Sequence, residues 1–84
     1  MQRIQKFHHT AHASRRASER HLTPEMLESV VNQHDRKTQQ YHGQHGGFVY
    51  RFTRKTDDLD LVVVPEVKGG QAWILTGFVN DNTL

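Results

Sequence analysis

A histidine and two arginines recur at four-residue intervals near the start of the chain. His12, Arg16 and Arg20 lie in the segment "HTAHASRRASERHLTPE", and on a helix they fall within about 80° of one another. Two guanidinium groups in fixed positions match phosphate oxygens with forked donors, and a histidine can transfer protons near neutral pH. Together these groups have the chemistry needed for metal-independent phosphodiester cleavage of RNA, with His12 as acid or base and the two arginines on the phosphate.

The same three side chains also suit a purely structural role. Ala13 and Ala17 form the only apolar face of this segment, so His12, Arg16 and Arg20 are expected to line the seam between the helix and the rest of the domain. Arginines at such a border often pair with carboxylates and lay their stems along apolar surface. The spacing alone leaves both roles open.

Two helices are predicted in the first half of the chain. Thr10 is the predicted N-cap of a helix that runs to about His21, because its hydroxyl can accept a hydrogen bond from the first turn. Thr23 and Pro24 have the residue types of a second helix start, and the apolar periodicity that follows ends near residues 32–34. Before both helices, Arg3–Phe7 is either a short leading strand or an irregular arm.

The second half of the chain changes to strand periodicity. Alternating apolar residues predict strands, and Gly and Asp pairs separate them; the predicted strands cover about 48–53, 59–64 and 73–79, with a weaker one at 37–42. Helices segregated from strands indicate the α+β class. We therefore predict a single domain over residues 1–84, with two N-terminal helices packed on a three- to four-stranded, mainly antiparallel sheet.

Side-chain alternation assigns the aromatic and basic residues of the strands to faces. Tyr50 and Arg51 must point to opposite faces of one strand. If Phe48, Tyr50 and Phe52 form the core face, then Arg51 and Arg54 lie on the open side of the sheet or near its edge. Basic and aromatic residues on an open sheet face are typical of single-stranded RNA binding. In the last strand, if Ile74 and Phe78 are core residues, Trp73 lies on the opposite face, either half exposed or in a dimer contact.

Charge is distributed unevenly along the chain. Residues 1–55 contain ten Lys or Arg and four Asp or Glu, a net charge of +6, together with all seven histidines. Residues 56–84 contain one Lys and five Asp or Glu, a net charge of −4. This asymmetry indicates either a surface that faces a polyanion or two solvated faces of opposite sign.

Other histidines are secondary candidates. His8 and His9 adjoin the start of the first predicted helix and are alternative proton-transfer residues. His42 and His45 lie three residues apart in a glycine-rich stretch, with His34 upstream. An all-histidine zinc site is chemically feasible, but firm zinc signatures use Cys or an HExxH helix. A flexible polar hairpin tip is the preferred interpretation, and no metal or cofactor is predicted.

Several classes of protein are excluded or disfavoured by composition. There is no cysteine, which excludes disulfides and thiolate metal sites and agrees with a cytoplasmic location. No apolar run approaches the ~20 residues of a membrane span, and the stretch "MQRIQKFHH" lacks the apolar centre of a signal peptide. We therefore expect no membrane partner.

The helical pattern resembles the opening signature of a family of small bacterial domains, domain of unknown function 4258. It comprises Thr10, His12, Ala13, Arg16, Arg20, Leu22 and Thr23, and the likeness continues through "GGFVYRF", "LVVVPEV" and "AWILTGF". That family more often has Gly where His21 stands. In predicted fold it resembles the RelE/ParE-type toxins of the barnase–EndoU–colicin–RelE group. The resemblance implies a RelE-like fold and draws attention to Thr76 in the last strand.

Three functions follow from these residues and from the resemblance. The leading one is a toxin-like endoribonuclease that leaves 2′,3′-cyclic phosphate ends, with substrate contacts from Arg15, Tyr50, Arg51 and Thr76. The second is a non-catalytic module that binds nucleic acid or protein. The third is a phage- or plasmid-encoded protein whose sheet edge pairs with a partner strand. The partners these imply are RNA and a cognate antitoxin or immunity protein, for a monomer or a homodimer.

Overall fold

The computed structural model describes residues 3–81, which form two helices and a five-stranded sheet. The elements are β1 (Lys6–His9), α1 (Ala11–Glu19), α2 (Pro24–Asn32), β2 (Arg36–His42), β3 (Phe48–Lys55), β4 (Leu59–Lys68) and β5 (Gln71–Asp81). Neighbouring strands follow the order β1-β5-β4-β3-β2, and every pair is antiparallel except β1 with β5. The α+β class and the packing of two helices on a sheet are confirmed, whereas the sheet is mixed and larger than predicted.

The additional strand is the leading segment of the chain. β1 runs parallel to β5 at one edge of the sheet, and Phe7 lies opposite Ala72. Just before it, the N–H groups of Gln5 and Lys6 both donate to the carbonyl oxygen of Gly70, at 2.9 and 3.1 Å. Of the two alternatives left open for Arg3–Phe7, the leading strand is therefore the one observed. It lies closer to the first helix than predicted, at Lys6–His9. The helices connect this edge strand to β2 at the opposite edge.

Helix α1 begins as predicted and ends earlier. The Thr10 hydroxyl accepts a hydrogen bond from the N–H of Ala13 at 3.1 Å, which confirms the N-cap. The helix ends at Glu19 rather than near His21, because the backbone at His21 turns into the left-handed region with φ of 59°.

The end of α1 is a Schellman motif. The N–H of His21 donates to Ser18 and that of Leu22 donates to Ala17, at 3.1 and 2.8 Å, which satisfies two carbonyl groups that the helix end leaves free. A glycine usually occupies the left-handed position of this motif, since a Cβ is strained there. The chain has a histidine at that position.

Helix α2 matches its prediction closely. The Thr23 hydroxyl accepts from the N–H of Met26 at 3.2 Å, and Pro24 is the first helical residue. Its apolar face buries Leu27, Val30 and Val31.

The core lies between the helices and one face of the sheet. Ala13 and Ala17 of α1 are buried there, as predicted, so this helix approaches β5 closely. The cluster also contains apolar residues from the leading segment, the loop after α1, α2 and the three central strands: Ile4, Leu22, Leu27, Val30, Val31, Phe52, Val63, Ala72 and Ile74. Within residues 3–81 no helix is long and apolar enough to cross a membrane.

A β-bulge in β5 changes which side chains face the helices. The register between β4 and β5 shifts between Val64 and Pro65, leaving one additional residue on β5. As a result Gly77 faces α2, where an added Cβ would lie 2.6 Å from Leu27 Cδ2. Phe78 therefore lies on the open face, and its prediction as a core residue is wrong because a bulge reverses the alternation beyond it. Ile74 precedes the bulge and is buried in the core as predicted.

Two predictions on β3 also need correction. Phe52 is fully buried and Tyr50 packs partly buried against the core, but Phe48 is 37% exposed. Phe48 lies at the turn end of the strand, where its ring contacts His42. Arg54 shares a face with Phe52, since the two are two positions apart on the strand, and it donates to the Ser29 hydroxyl of α2 at 3.2 Å. It therefore lies on the helix side and not on the open face.

Replacing the histidine in the left-handed position should stabilise the domain. His21→Gly removes a strain of about 1–2 kcal/mol and adds an unfolded-state entropy cost of about 0.5–1 kcal/mol. We expect the free energy of unfolding to rise by about 0.5–1 kcal/mol, measured as a shift of the urea midpoint. The control is Gln33→Gly at the end of α2, where φ is −134°; it should destabilise. A lower midpoint for His21→Gly would contradict this interpretation of the turn.

Candidate functional site

Of the three predicted catalytic residues, His12 and Arg16 lie on the exposed surface of α1 and Arg20 is its C-cap. His12 and Arg16 are exposed, and Arg16 Nη1 lies 3.6 Å from the Glu19 carboxylate. Arg20 alone reaches the sheet, where its Nη1 donates to the carbonyl oxygen of Gly77 at 3.0 Å. The expected seam is therefore formed by one residue of the three. An exposed ion pair such as Arg16–Glu19 contributes little to stability.

The predicted substrate residues are distributed over different parts of the fold. Arg15 is exposed on α1, and Thr76 lies on β5 beside Gly77. Tyr50 is stacked on Phe52 on the helix side, and the Lys37 ammonium lies 5.0 Å from its ring centre. Tyr50 and Arg51 lie on opposite faces of β3, as alternation requires.

A polar groove crosses the open face of the sheet, which is the face that the helices leave uncovered. It has a volume of about 490 Å³, and side chains from four adjacent strands line it: Arg36, Thr38, Gln40, Arg51, Thr53, Lys55, Asp60 and Asn80. Three of these side chains are cationic and one is a carboxylate. The remainder are hydroxyl and amide groups, which both donate and accept hydrogen bonds. We call this surface the basic groove.

Arg51 is held in the basic groove by an aromatic ring. Its guanidinium carbon lies 5.6 Å from the ring centre of Phe78 on β5, within the range of a cation–π interaction. This contact exists because the bulge in β5 turns Phe78 to the open face. A guanidinium held against a ring keeps its outward N–H donors available for an anion.

The other end of the open face is closed by the turn between β2 and β3. Glu66 of β4 is fully buried, and its Oε2 accepts from the N–H groups of His45 and Gly47 at 2.8 and 2.9 Å. Among the residues described, Glu66 Oε1 is buried without a hydrogen-bond partner. Gly43 packs directly against this carboxyl group, since a Cβ there would lie 2.0 Å from Glu66 Cδ. The turn is therefore anchored to the sheet, which corrects the prediction of a flexible tip.

Three stacked rings reinforce the same closure. The Trp73 ring lies between His45 from the turn and His8 from β1, with ring centres 4.4 and 4.9 Å away and planes within 7° and 12° of parallel. His8 Nε2 is also 2.9 Å from the side-chain oxygen of Gln71. The face of Trp73 was predicted correctly. Its stacking partners were not foreseen, because they come from distant parts of the chain.

The histidines considered for zinc make separate contacts. His34 stacks on Phe52, His42 contacts Phe48 and His45 stacks on Trp73. Within residues 3–81 no group of three or more His, Cys, Asp or Glu side chains is placed to hold a metal ion.

Glu66 is the important residue that sequence reasoning missed. The available signal was a single acidic residue in the run "LVVVPEV", which is otherwise apolar on both faces. A carboxyl group in such a position must be hydrogen-bonded if it is buried. The groove residues of β2 gave no comparable signal in the sequence. Every residue of that strand is exposed, so no polar side chain stands out against buried apolar neighbours.

Comparison with known proteins identified no relative of this chain. No protein-family model, curated protein or solved structure matches the chain.

Proposed function

We propose that this domain binds single-stranded RNA in the basic groove. The observation that carries the proposal is the position of Arg51, held against Phe78 in a groove whose other lining groups are two cations, one carboxylate and several hydroxyl and amide groups. The excess of positive charge in residues 1–55 supports it, and so does the resemblance to RelE/ParE-type domains. The absence of cysteine agrees with a cytoplasmic setting.

The chemistry of the groove suits a single strand. Arg36, Arg51 and Lys55 supply charge for the phosphates, and charge neutralisation dominates the affinity of such sites. Thr38, Gln40, Thr53 and Asn80 offer hydrogen bonds to sugars and base edges. An unpaired strand exposes both, whereas in an RNA duplex the deep, narrow major groove keeps side chains from the base edges that carry most of the sequence information.

Substitution of Arg51 should weaken RNA binding in a salt-dependent manner. For Arg51→Gln we expect the negative slope of log K against log[salt] to become shallower by about 0.7, the value for one phosphate contact on a single strand. Filter binding of a short labelled oligonucleotide across a salt series measures both affinity and slope. The matched control is Arg16→Gln on α1, which should bind like the unmodified protein.

Three results would contradict this proposal. The first is an unchanged salt slope for an Arg51→Gln protein that is fully folded. The second is a loss of RNA affinity in Arg16→Gln but not in Arg51→Gln. The third is no RNA binding by the unmodified protein even at low salt.

RNA cleavage on α1 is a second candidate function. One observation favours it: the His12 ring is exposed and makes no hydrogen bond in the part of the chain that the structure describes, so both ring nitrogens are accessible to substrate. Arg16 lies one turn further along the same helix. Because α1 packs on the covered side of the sheet, such a site would be separate from the basic groove.

The cleavage hypothesis predicts a selective loss on substitution of His12. His12→Gln should reduce cleavage by roughly 10²–10⁴-fold. The melting temperature should stay unchanged, since the exposed His12 side chain makes no hydrogen bond within residues 3–81. Formation of 2′,3′-cyclic phosphate ends on cellular RNA is the assay. The control His42→Gln should keep full activity. If the purified, folded unmodified protein leaves RNA intact, the hypothesis is wrong, and the binding proposal is unaffected.

A further inference from the structure

A cleft lies where α1, α2 and the loop between them meet the end of β1. Its volume is about 570 Å³, which is within the usual range for small-molecule sites. The polar groups that line it are His9, Ser14, Ser18, His21 and Thr23. Neither the basic groove nor the exposed row of His12, Arg16 and Arg20 contributes a side chain.

One side chain in this cleft is held in a defined orientation. His9 Nε2 lies 2.7 Å from Glu28 Oε2, and the two side chains are 20% and 36% exposed. An ionised carboxylate can only accept, so Nε2 donates to Glu28 and Nδ1 is the ring nitrogen left to hydrogen-bond a ligand. Glu28 itself does not line the cleft. It therefore acts as the residue that positions His9.

A second histidine borders the cleft from the loop. His21 has a left-handed backbone, and the Schellman hydrogen bonds hold it there. Strained positions of this kind are concentrated at functional sites. The consequence in this chain is that an exposed imidazole borders the same cavity as His9.

The lining defines the chemistry of a ligand. The floor is apolar, formed by Ala17, Leu22 and Leu27, and within residues 3–81 no Lys, Arg, Asp or Glu borders the cleft. Apolar floor and imidazole rings suit a flat ring system, and the hydroxyl groups suit a ligand with several hydroxyls of its own. A phosphate group would meet no fixed cation there.

We propose that this cleft binds an uncharged, hydroxyl-bearing ring compound of nucleoside size, with His9 Nδ1 hydrogen-bonded to a ligand hydroxyl. The proposal is independent of RNA binding in the basic groove. It rests on the cleft, on the His9–Glu28 pair and on the lack of charged lining groups among the residues that the structure describes.

The test is a titration with uridine, cytidine, adenosine and guanosine, followed through the imidazole NMR signals of His9 and His21. At least one nucleoside should produce saturable shifts of both signals. Its dissociation constant should rise about tenfold in His9→Gln and stay unchanged in Arg51→Gln and at high salt. The matching 5′-monophosphate should bind in the cleft no more tightly than the nucleoside.

A second variant covers the case that His9→Gln fails to fold. Ser18→Phe is a substitution at an exposed position and fills the cleft, so it should abolish the shifts, while Ala11→Phe on the same helix should leave them intact. The proposal is overturned if none of the four nucleosides shifts His9 and His21. It is equally overturned if binding survives in Ser18→Phe or requires Arg51.

Discussion

The buried carboxyl group of Glu66 is the interaction on which the shape of the open face depends. A carboxyl group enclosed within a sheet is costly unless donors satisfy it. The donors here are two backbone N–H groups of the turn between β2 and β3. Removing Glu66 would leave those N–H groups without acceptors, and opening the turn would leave the carboxyl group without donors. The turn and the sheet therefore have to stay together.

The anchored turn between β2 and β3 covers one end of the open face and leaves the other end accessible. At the turn end, the stack of His45, Trp73 and His8 covers the sheet. At the other end the strands carry short polar and long cationic side chains, and the surface remains an accessible groove. The bulge in β5 completes the division, because it places Gly77 beneath α2 and Phe78 beneath Arg51. One local irregularity thus serves both close helix packing and the groove.

The sequence predicted what depends on local patterns. Thr10 and Thr23 identified the helix starts, and Ala13 and Ala17 identified the buried face of α1. Sequence-based prediction failed where the structure depends on contacts between residues that are distant in sequence. A bulge reversed the face of Phe78, and β1 needed β5 as a partner before it could be assigned as a strand. For the sites, alternation placed Arg51 correctly, but no spacing rule could pair it with Phe78 or bring Glu28 to His9.

Mapping of RNA contacts at the backbone amides tests the central claim most directly. A short single-stranded oligonucleotide would be titrated into labelled protein while amide chemical shifts are followed. The account predicts shifts on the strands around Arg51, Thr53 and Asn80, with the amides of His45 and Gly47 unmoved because Glu66 keeps the turn closed. Shifts centred on α1 or on the turn, or no shifts at all, would contradict it.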